Sequence, residues 1–138
     1  MSGVVVTGIG VVSPLGIGRE AFASALRAGT SAARAITCFE AAGFPVRFAC
    51  EIDDATLPLA LLPPKSRKLM SRATTFAALA SRMARDDAAL GPADVDAGRL
   101  GIVFGAGGMG TVDLEFLDLE VRTLQACEAD GGFTWERF

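Results

Sequence analysis

The chain has 138 residues, of which 51% are hydrophobic, and a mean hydropathy of +0.40; these values suit a domain whose sheet is covered on both faces. A net charge of −3 argues against a nucleic-acid partner, and charges, prolines or glycines interrupt every apolar run too early for a membrane helix. Three scattered cysteines with no histidine argue against a metal site and favour reduced thiols in a cytoplasmic protein.

The first half of the chain predicts strands, turns and one short helix. Residues 4–12 are β-branched and apolar, which is typical of a buried strand, and residues 13–16 turn the chain. A helix follows over 19–28, and Gly29 marks its C-terminal stop. The next predicted segments are a strand over 35–39, a turn at 43–45, a strand over 47–52 and an irregular stretch with one helical turn over 53–64.

The strongest helical pattern lies over residues 66–90, where apolar residues recur at spacings of three and four. Its alanines would let the helix lie close against a sheet, and Gly91 followed by Pro92 predicts its end. A buried strand over 100–104, a glycine-rich loop and a last helix over 112–128 complete an α/β order. The predicted apolar face of the long helix consists of Leu69, Met70, Ala73, Phe76, Ala77, Ala80, Met83 and Ala84.

Gly105, Gly107 and Gly110 follow a predicted strand and open a helix, as in a dinucleotide-binding turn. Glycines let the backbone approach a pyrophosphate, and a helix N-terminus supplies free N–H groups. The rest of that fingerprint is missing, because no second strand ending in an acidic residue lies about 20 residues further on. The pair Gly8 and Gly10 lacks a third glycine. Nucleotide binding is therefore a minor alternative, and no cofactor is predicted.

No pair of nucleophile and base can be assembled from the sequence. Ser13 has no histidine to activate it. The aspartate pairs at 53–54 and 86–87 are adjacent in sequence, so their side chains should diverge onto solvated surface. The threonine pair at 74–75 lies in a predicted helix, where the hydroxyls would bond to their own backbone. No catalytic residue and no metal ligand is therefore predicted.

Lys65, Arg67, Lys68 and Arg72 gather near the start of the predicted long helix, where positive charge opposes the helix dipole. Two interpretations stay open from the residues alone. The cluster is either a docking patch for an acidic or phosphorylated partner, or a solvated helix start whose charges are screened.

Several segments together resemble the N-terminal portion of a β-ketoacyl-ACP synthase (ketosynthase) of the chain-elongating type. The resemblance depends on their joint order and spacing more than on any single motif. An opening strand and turn is followed by a helix that ends in Leu-Arg-Ala-Gly. A short basic segment then precedes the long helix, and a later strand leads into a glycine loop. These segments are 4–16, 22–29, 67–70 and 99–107.

The resemblance implies an α/β fold, namely the incomplete N-terminal part of a thiolase-like αβαβα sandwich. Such enzymes, usually dimers, condense an acyl chain held on a cysteine with a malonyl unit on acyl carrier protein, and two histidines assist the loss of carbon dioxide. Residues 1–138 would form a partial domain that ends before the cysteine segment and both histidines. None of Cys38, Cys50 and Cys127 has the sequence context of the family's nucleophile.

Two groups of residues match peripheral sites of the family. By resemblance, Lys65, Arg67 and Lys68 correspond to a basic region that meets the acidic carrier protein. The loop residues that would shape the acyl pocket near the dimer interface are Gly107, Gly108 and Met109.

The leading hypothesis is therefore a ketosynthase fragment of fatty acid or polyketide synthesis that has no condensing activity alone. Its expected partners are acyl carrier protein and a second subunit, in a homodimer or a heterodimer. One alternative is a non-catalytic ketosynthase-like partner subunit, and a weaker one is a dinucleotide-binding domain. Neither nucleic acid nor a membrane is expected as a partner.

Overall fold

The computed structural model describes residues 3–91 and 94–105. Within these residues, short antiparallel hairpins alternate with helices. The strands are β1 (Val12–Ser13), β2 (Gly16–Ile17), β3 (Arg34–Ala35) and β4 (Phe48–Ala49), and the α-helices are α1 (Arg19–Arg27), α2 (Pro64–Arg67) and α3 (Arg72–Asp87). Single 3-10 turns lie at Asp54–Thr56, Leu59–Leu61 and Ala97–Arg99. The helix predicted over 112–128 lies outside the described residues.

Only the end of the predicted first strand forms a ladder. β1 pairs antiparallel with β2, so that Val12 faces Ile17 and Ser13 faces Gly16 across the predicted turn. Residues 3–11 and 100–105 form no ladder with any other described residue, and the side chains of 4–6 and 102–104 are exposed. The strand predictions for 4–12 and 100–104 are wrong in this respect. Their β-branched composition favours extended backbone, but a strand also needs a hydrogen-bonded neighbour.

Helix α1 confirms the predicted helix and its glycine stop. The N–H of Gly29 donates to the carbonyl of Leu26 (3.1 Å), and that of Thr30 donates to the carbonyl of Ala25 (3.0 Å). Gly29 has a φ of +65°, the left-handed conformation that these two bonds require. The local sequence alone therefore accounts for the end of this helix.

The second hairpin confirms the two short strands predicted on either side of a turn. β3 pairs antiparallel with β4, with Arg34 opposite Ala49 and Ala35 opposite Phe48. The ladder is shorter than predicted. At the turn, the rings of Phe39 and Phe44 meet edge to face with their centres 5.6 Å apart.

The single long helix predicted over 66–90 is two helices, α2 and α3, separated by residues 68–71. Ser71 caps the N-terminus of α3, because its hydroxyl accepts the N–H of Thr74 (3.2 Å). A serine at this position satisfies a helix N–H that has no partner within the helix. The cap therefore starts a new helix, which the apolar spacing alone did not reveal.

Helix α3 also ends earlier than the predicted stop at Gly91. Ala89 takes the left-handed position with a φ of +53°. Its N–H donates to the carbonyl of Asp86 (3.0 Å), and the N–H of Leu90 donates to the carbonyl of Arg85 (3.1 Å). The same pair of bonds closes α1, but here an alanine stands where glycine is favoured.

The N-terminal segment lies directly against α3. A Cβ added to Gly8 would overlap the carbonyl oxygen of Ala84, and one added to Gly10 would overlap that of Ala80. The N–H of Ile9, between the two glycines, donates to the Asp87 carboxylate (3.0 Å). The alanines of α3 thus allow a close approach, but the neighbour is an extended segment without a ladder where a sheet was predicted. The contacts explain both glycines without a nucleotide.

The predicted apolar face is confirmed in part, because Phe76, Ala77, Ala80, Met83 and Ala84 on α3 are half-buried, although Ala73 is exposed. Leu79 is the fully buried residue of the helix at 0% exposure, although it was not part of the predicted apolar face. Leu69 was part of that face but precedes the helix and is 91% exposed. The interruption at Ser71 removes Leu69 from the helix. No helix among the described residues is long and apolar enough to cross a membrane.

Candidate functional site

The basic cluster is divided between two helices. Lys65 and Arg67 belong to the single turn of α2, Lys68 caps its C-terminus, and Arg72 is the first residue of α3. Arg67 and Lys68 therefore lie at the C-terminal end of α2, where positive charge is favourable, whereas Lys65 is the second residue of that turn. This corrects the prediction that the whole cluster opposes a helix dipole.

Arg72 is a structural link between α3 and the 3-10 turn that begins at Asp54. Its Nη2 donates to the carbonyl of Ile52 (2.6 Å) and to Oδ1 of Asp54 (2.8 Å). The guanidinium carbon lies 5.1 Å from the centre of the Phe76 ring. Asp54 also offsets the charge of Arg72 at the helix N-terminus, so this arginine is already engaged within the chain.

Arg67 is half-buried, and its Nε is enclosed without a hydrogen-bond partner among the described residues. A buried N–H that lacks a partner costs roughly 1–3 kcal/mol. The stem of this side chain is therefore packed against the protein. It differs from the freely hydrated arginine that a docking residue would present.

Lys65 and Lys68, here called the lysine pair, are both exposed. Neither forms an ion pair within residues 3–91 and 94–105. The next residue, Leu69, is also exposed and stands at the edge of the pair. Of the three residues predicted to dock a carrier protein, the two lysines remain available as surface charges.

Glu51 forms a polar cluster that the sequence analysis missed. Its carboxylate accepts the N–H groups of Thr37 (2.9 Å) and Cys38 (3.0 Å) and the Thr37 hydroxyl (2.8 Å). Arg34 Nε lies 3.5 Å from the same carboxylate. A lone glutamate at the end of an apolar predicted strand was the available signal, but its partners are 13 and 14 residues away.

The Glu51 cluster sets the ionisation of two groups. Hydrogen bonds from the Cys38 thiol, and then from Thr37, hold the pKa of Glu51 well below its usual range. The hydrogen bond to Glu51, burial and the negative charge of Glu51 raise the pKa of the Cys38 thiol. Cys38 therefore stays protonated at neutral pH, which is the opposite of what an activated nucleophile requires.

The remaining polar candidates have structural roles. Ser13 Oγ donates to the carbonyl of Gly16 (3.0 Å) and closes the first turn. The threonine prediction is confirmed at Thr75, whose hydroxyl donates to the Ser71 carbonyl (3.0 Å). Thr74 Oγ1 lies 3.0 Å from Ser71 Oγ.

The paired aspartates diverge as predicted, but they are engaged by the protein as well as solvated. Asp53 accepts the N–H of Ala55 (2.9 Å), while Asp54 pairs with Arg72. Asp86 pairs with Arg82 at 3.1 Å, whereas Asp87 reaches Arg19 at 3.4 Å. Neighbouring carboxylates thus serve different elements.

Several predicted site residues lie outside the described residues. These are Gly107, Gly108, Met109, Gly110 and Cys127. The acyl-pocket loop and the dinucleotide-binding turn therefore stay predictions. Among the residues that the structure describes, no group of cysteine, aspartate and glutamate side chains is placed to hold a metal ion.

The sequence is similar to known proteins along most of its length. A family model described as "Beta-ketoacyl synthase, N-terminal domain" matches residues 1–131. The chain is 41% identical over 102 residues to the tetracenomycin polyketide synthase ketoacyl synthase alpha subunit of Streptomyces glaucescens, covering 74% of this chain and 24% of that protein. It is 38% identical over 104 residues to 3-oxoacyl-[acyl-carrier-protein] synthase 2 of Coxiella burnetii, covering 75% and 25%. The chain thus spans about a quarter of the length of these curated relatives.

A solved structure shares the fold. The match is to a chain of "The ishigamide ketosynthase/chain length factor", with a TM-score of 0.56 and 42% sequence identity. It covers 66% of this chain and 22% of that one. The predicted fold class, the N-terminal part of a thiolase-like α/β sandwich, is confirmed by this likeness together with the family match.

Proposed function

Because the chain belongs to the β-ketoacyl synthase family, we propose that it is the N-terminal part of an enzyme that extends an acyl thioester with a malonyl unit. The match of the family model over residues 1–131 is the observation that carries the proposal. In the proposed reaction an enzyme cysteine holds the acyl chain, and malonyl-carrier protein loses carbon dioxide to form the new carbon–carbon bond. Relatives named for polyketide and for 3-oxoacyl synthesis support this reaction class.

The 138 residues by themselves should not perform this condensation. The chain contains no histidine to assist decarboxylation, and Cys38 is held in its protonated form. Purified chain incubated with acyl- and malonyl-carrier protein should yield neither ketoacyl product nor a covalent acyl-enzyme by mass spectrometry. A complete ketosynthase in the same assay is the positive control. Product formed by the chain alone would overturn the proposal of inactivity.

The lysine pair is the proposed contact for an acidic carrier protein. Lys65 and Lys68 are exposed and free of ion pairs within the described residues, whereas Arg67 is half-buried and Arg72 is bound to Asp54. Surface charges of this kind steer association and are screened by salt. The docking role therefore belongs to the two lysines rather than to all three residues inferred from the resemblance.

Reversing the lysine pair tests this docking proposal. Lys65→Glu with Lys68→Glu should weaken binding of acyl carrier protein, most strongly at low salt, in a fluorescence anisotropy titration. Arg27→Glu with Arg99→Glu is the matched control, because it changes the net charge equally outside segment 64–72. Equal weakening by both double variants would reject a local docking site and leave only a net-charge effect.

A second candidate function is a non-catalytic partner subunit in a heterodimer. The similar solved structure is named for a ketosynthase with a chain length factor, and one relative is named an alpha subunit. This candidate predicts that a second ketosynthase subunit co-purifies with the protein. Under either function, Gly107, Gly108 and Met109 are proposed on the family resemblance to shape the acyl pocket.

A further inference from the structure

Hydrogen bonding within the second hairpin fixes which way the backbone of β4 faces. The N–H of Ile36 donates to the carbonyl of Arg47 (3.0 Å) just beyond the ladder. Hydrogen-bonded and non-hydrogen-bonded pairs alternate along an antiparallel ladder, so the pair of Phe48 with Ala35 is a non-hydrogen-bonded one. The N–H and C=O of Phe48 therefore point away from β3, along the outer edge of β4.

This outer edge is open over residues 46–50, here called the β4 edge. Residues 46–53 contain no turn or bend, so the same alternation also turns the backbone groups of Val46 and Cys50 outward. Within the part of the chain that the structure describes, no backbone hydrogen bond involves Val46, Phe48 or Cys50. Unpaired N–H and C=O groups along an exposed strand are a template for pairing with another strand.

The outer edge of β3 does not offer the same opening. Ser31 Oγ accepts the N–H of Ala33 (3.2 Å). The Glu51 carboxylate accepts the N–H groups of Thr37 and Cys38, at 2.9 and 3.0 Å. Side chains of the chain itself thus satisfy donors at both ends of this edge. An incoming strand would find a continuous run of unused groups on the other side of the hairpin, at the β4 edge.

The side chains of the β4 edge suit an apolar strand. Val46 is 57% exposed, Phe48 is 64% exposed, and Cys50 is exposed as well. These residues are two positions apart and so project from one face, whereas Arg47, the only charged residue of the segment, projects from the other. Lysine and proline commonly protect edge strands from pairing, and the segment contains neither. An apolar strand of similar length would cover both the backbone groups and the side chains.

Two features limit how such a strand can pair with the β4 edge. The carbonyl of Ile52 already accepts Nη2 of Arg72 (2.6 Å), which closes the edge at its C-terminal end. Residues 42–45 form the turn of the hairpin, which closes the edge at its N-terminal end. Phe48 is therefore the middle of the open run, with one outward-facing residue on either side.

We propose that two copies of the chain associate through their β4 edges, antiparallel about a two-fold axis at Phe48. Each Val46 then faces Cys50 of the second copy, so three hydrogen-bonded pairs join the two strands. Each Arg47 faces Ala49 of the second copy, so no like charges are opposed. Because both copies use the same surface, the assembly closes as a dimer.

The dimer should be weak and separate from the association expected of the family. A five-residue strand is about 17 Å long, so the interface falls at the small end of the range for specific complexes. The β4 edge is also distant in sequence from the loop at 107–109, which by resemblance lies near the dimer interface of the family. The inference therefore does not depend on the proposed function.

Sedimentation equilibrium of the 138-residue chain tests the association. The dimer fraction should rise with concentration between about 10 µM and about 1 mM. Phe48→Lys should weaken dimerisation by at least about tenfold, because it opposes two like charges at the axis. Val103→Lys is the matched control, since Val103 is 97% exposed and lies outside the hairpin, and it should leave the dimer unchanged. Circular dichroism of each variant reports folding.

A disulfide cross-link tests the register, and it does not depend on the folding of the lysine variant. Val46→Cys, treated with oxidised glutathione, should give a disulfide to Cys50 of the second copy and a covalent dimer on non-reducing electrophoresis. The two positions within one chain are roughly 13 Å apart along the strand, too far for an internal bridge. Val46→Cys combined with Cys50→Ser should lose the covalent dimer.

Each contrary outcome counts against the β4 edge. A monomer at every concentration up to about 1 mM would overturn the inference. Equal weakening by Val103→Lys and Phe48→Lys would show that another apolar surface, or a general charge effect, controls association. A covalent dimer of Val46→Cys that persists with Cys50→Ser, or no covalent dimer at all, would overturn the antiparallel register and with it the assignment.

Discussion

At the scale of single residues, two positions affect stability in ways that their residue type alone does not predict. Glu51 collects hydrogen bonds from Thr37 and Cys38 across the second hairpin. Ala89 occupies the left-handed position that glycine takes at the end of α1. Both are local stability determinants, and both are accessible to single substitutions.

Replacing Glu51 by glutamine should destabilise the hairpin at neutral pH. The native pKa of Glu51 is depressed, so its stabilising contribution is present above the unfolded-state pKa of about 4.3 and is lost as pH falls toward the native pKa. The stability gap between wild type and Glu51→Gln should therefore narrow below about pH 4. Urea denaturation at pH 7, 4 and 3 measures the gap. Glu40→Gln, at an exposed position with one local bond, is the control. A gap that is constant with pH would contradict the assignment.

Replacing Ala89 by glycine should stabilise the protein. Alanine in the left-handed region costs roughly 1–2 kcal/mol, and glycine avoids this cost. Because glycine also makes the unfolded chain more flexible, the net increase in unfolding free energy should be about 0.5–1 kcal/mol. The urea midpoint should rise without a change in slope. Gly29→Ala at the equivalent position of α1 should have the opposite sign, and an added Cβ there meets nothing within 4 Å. The same sign for both variants would refute the backbone explanation.

At the scale of elements, the division of the predicted long helix changes the meaning of the basic cluster. Ser71 starts α3, and this leaves Lys65, Lys68 and Leu69 on a separate turn and link instead of on a continuous helix. Lys68 consequently lies at the C-terminus of α2, where its charge is tolerated, and Lys65 is the second residue of the same turn. The proposed docking surface thus depends on the break in the helix.

Removing the Ser71 cap should destabilise α3, whereas removing a serine hydroxyl from the middle of the helix should not. Ser71→Ala leaves the Thr74 N–H without its acceptor and should cost about 1 kcal/mol of unfolding free energy. Ser81→Ala is the control, because Ser81 lies inside the helix and donates to the carbonyl of Ala77. It should be neutral or slightly stabilising, since alanine is the better helix former. Chemical denaturation of the two variants decides between capping and a general effect of losing a hydroxyl.

At the scale of the whole molecule, stability depends on the contact between the N-terminal segment and α3. Among the described residues, the buried apolar side chains are Ala41, Leu62 and Leu79. The backbone of Gly8 and Gly10 meets the alanine face of α3, and Asp87 ties Ile9 and Arg19 to the end of that helix. Residues distant in sequence are joined here.

Adding one methyl group at this contact should be costly. Gly10→Ala places a Cβ on the backbone of Ala80, which cannot move without bending α3, so we expect a loss of about 1–3 kcal/mol. Gly43→Ala is the matched control because an added Cβ there meets nothing within 4 Å. The thermal midpoint of Gly10→Ala should fall well below that of Gly43→Ala. Equal midpoints would show that the segment and the helix are not in close contact.

The sequence predicted features that neighbouring residues control. Gly29 and its preceding helix were recognised because the stop signal lies next to the helix that it ends. The turns at 13–16 and 43–45 were recognised for the same reason. Ser71 carried an equally local signal, but the regular apolar spacing around it hid the cap. The family resemblance also came from the sequence, because it depends on the order of segments and not on their packing.

The tertiary structure decided which residues of each pattern are available for function. The sequence placed four cations in one cluster, but only packing separates Arg67 and Arg72, which are held by the protein, from the exposed lysine pair. Likewise, the sequence showed only that the glycines at 8 and 10 lack the third glycine of a nucleotide motif, whereas the tertiary structure places both against the backbone of α3. Caps and turns depend on interactions within a few residues, whereas burial, ion pairing and strand pairing depend on groups brought together from distant parts of the chain.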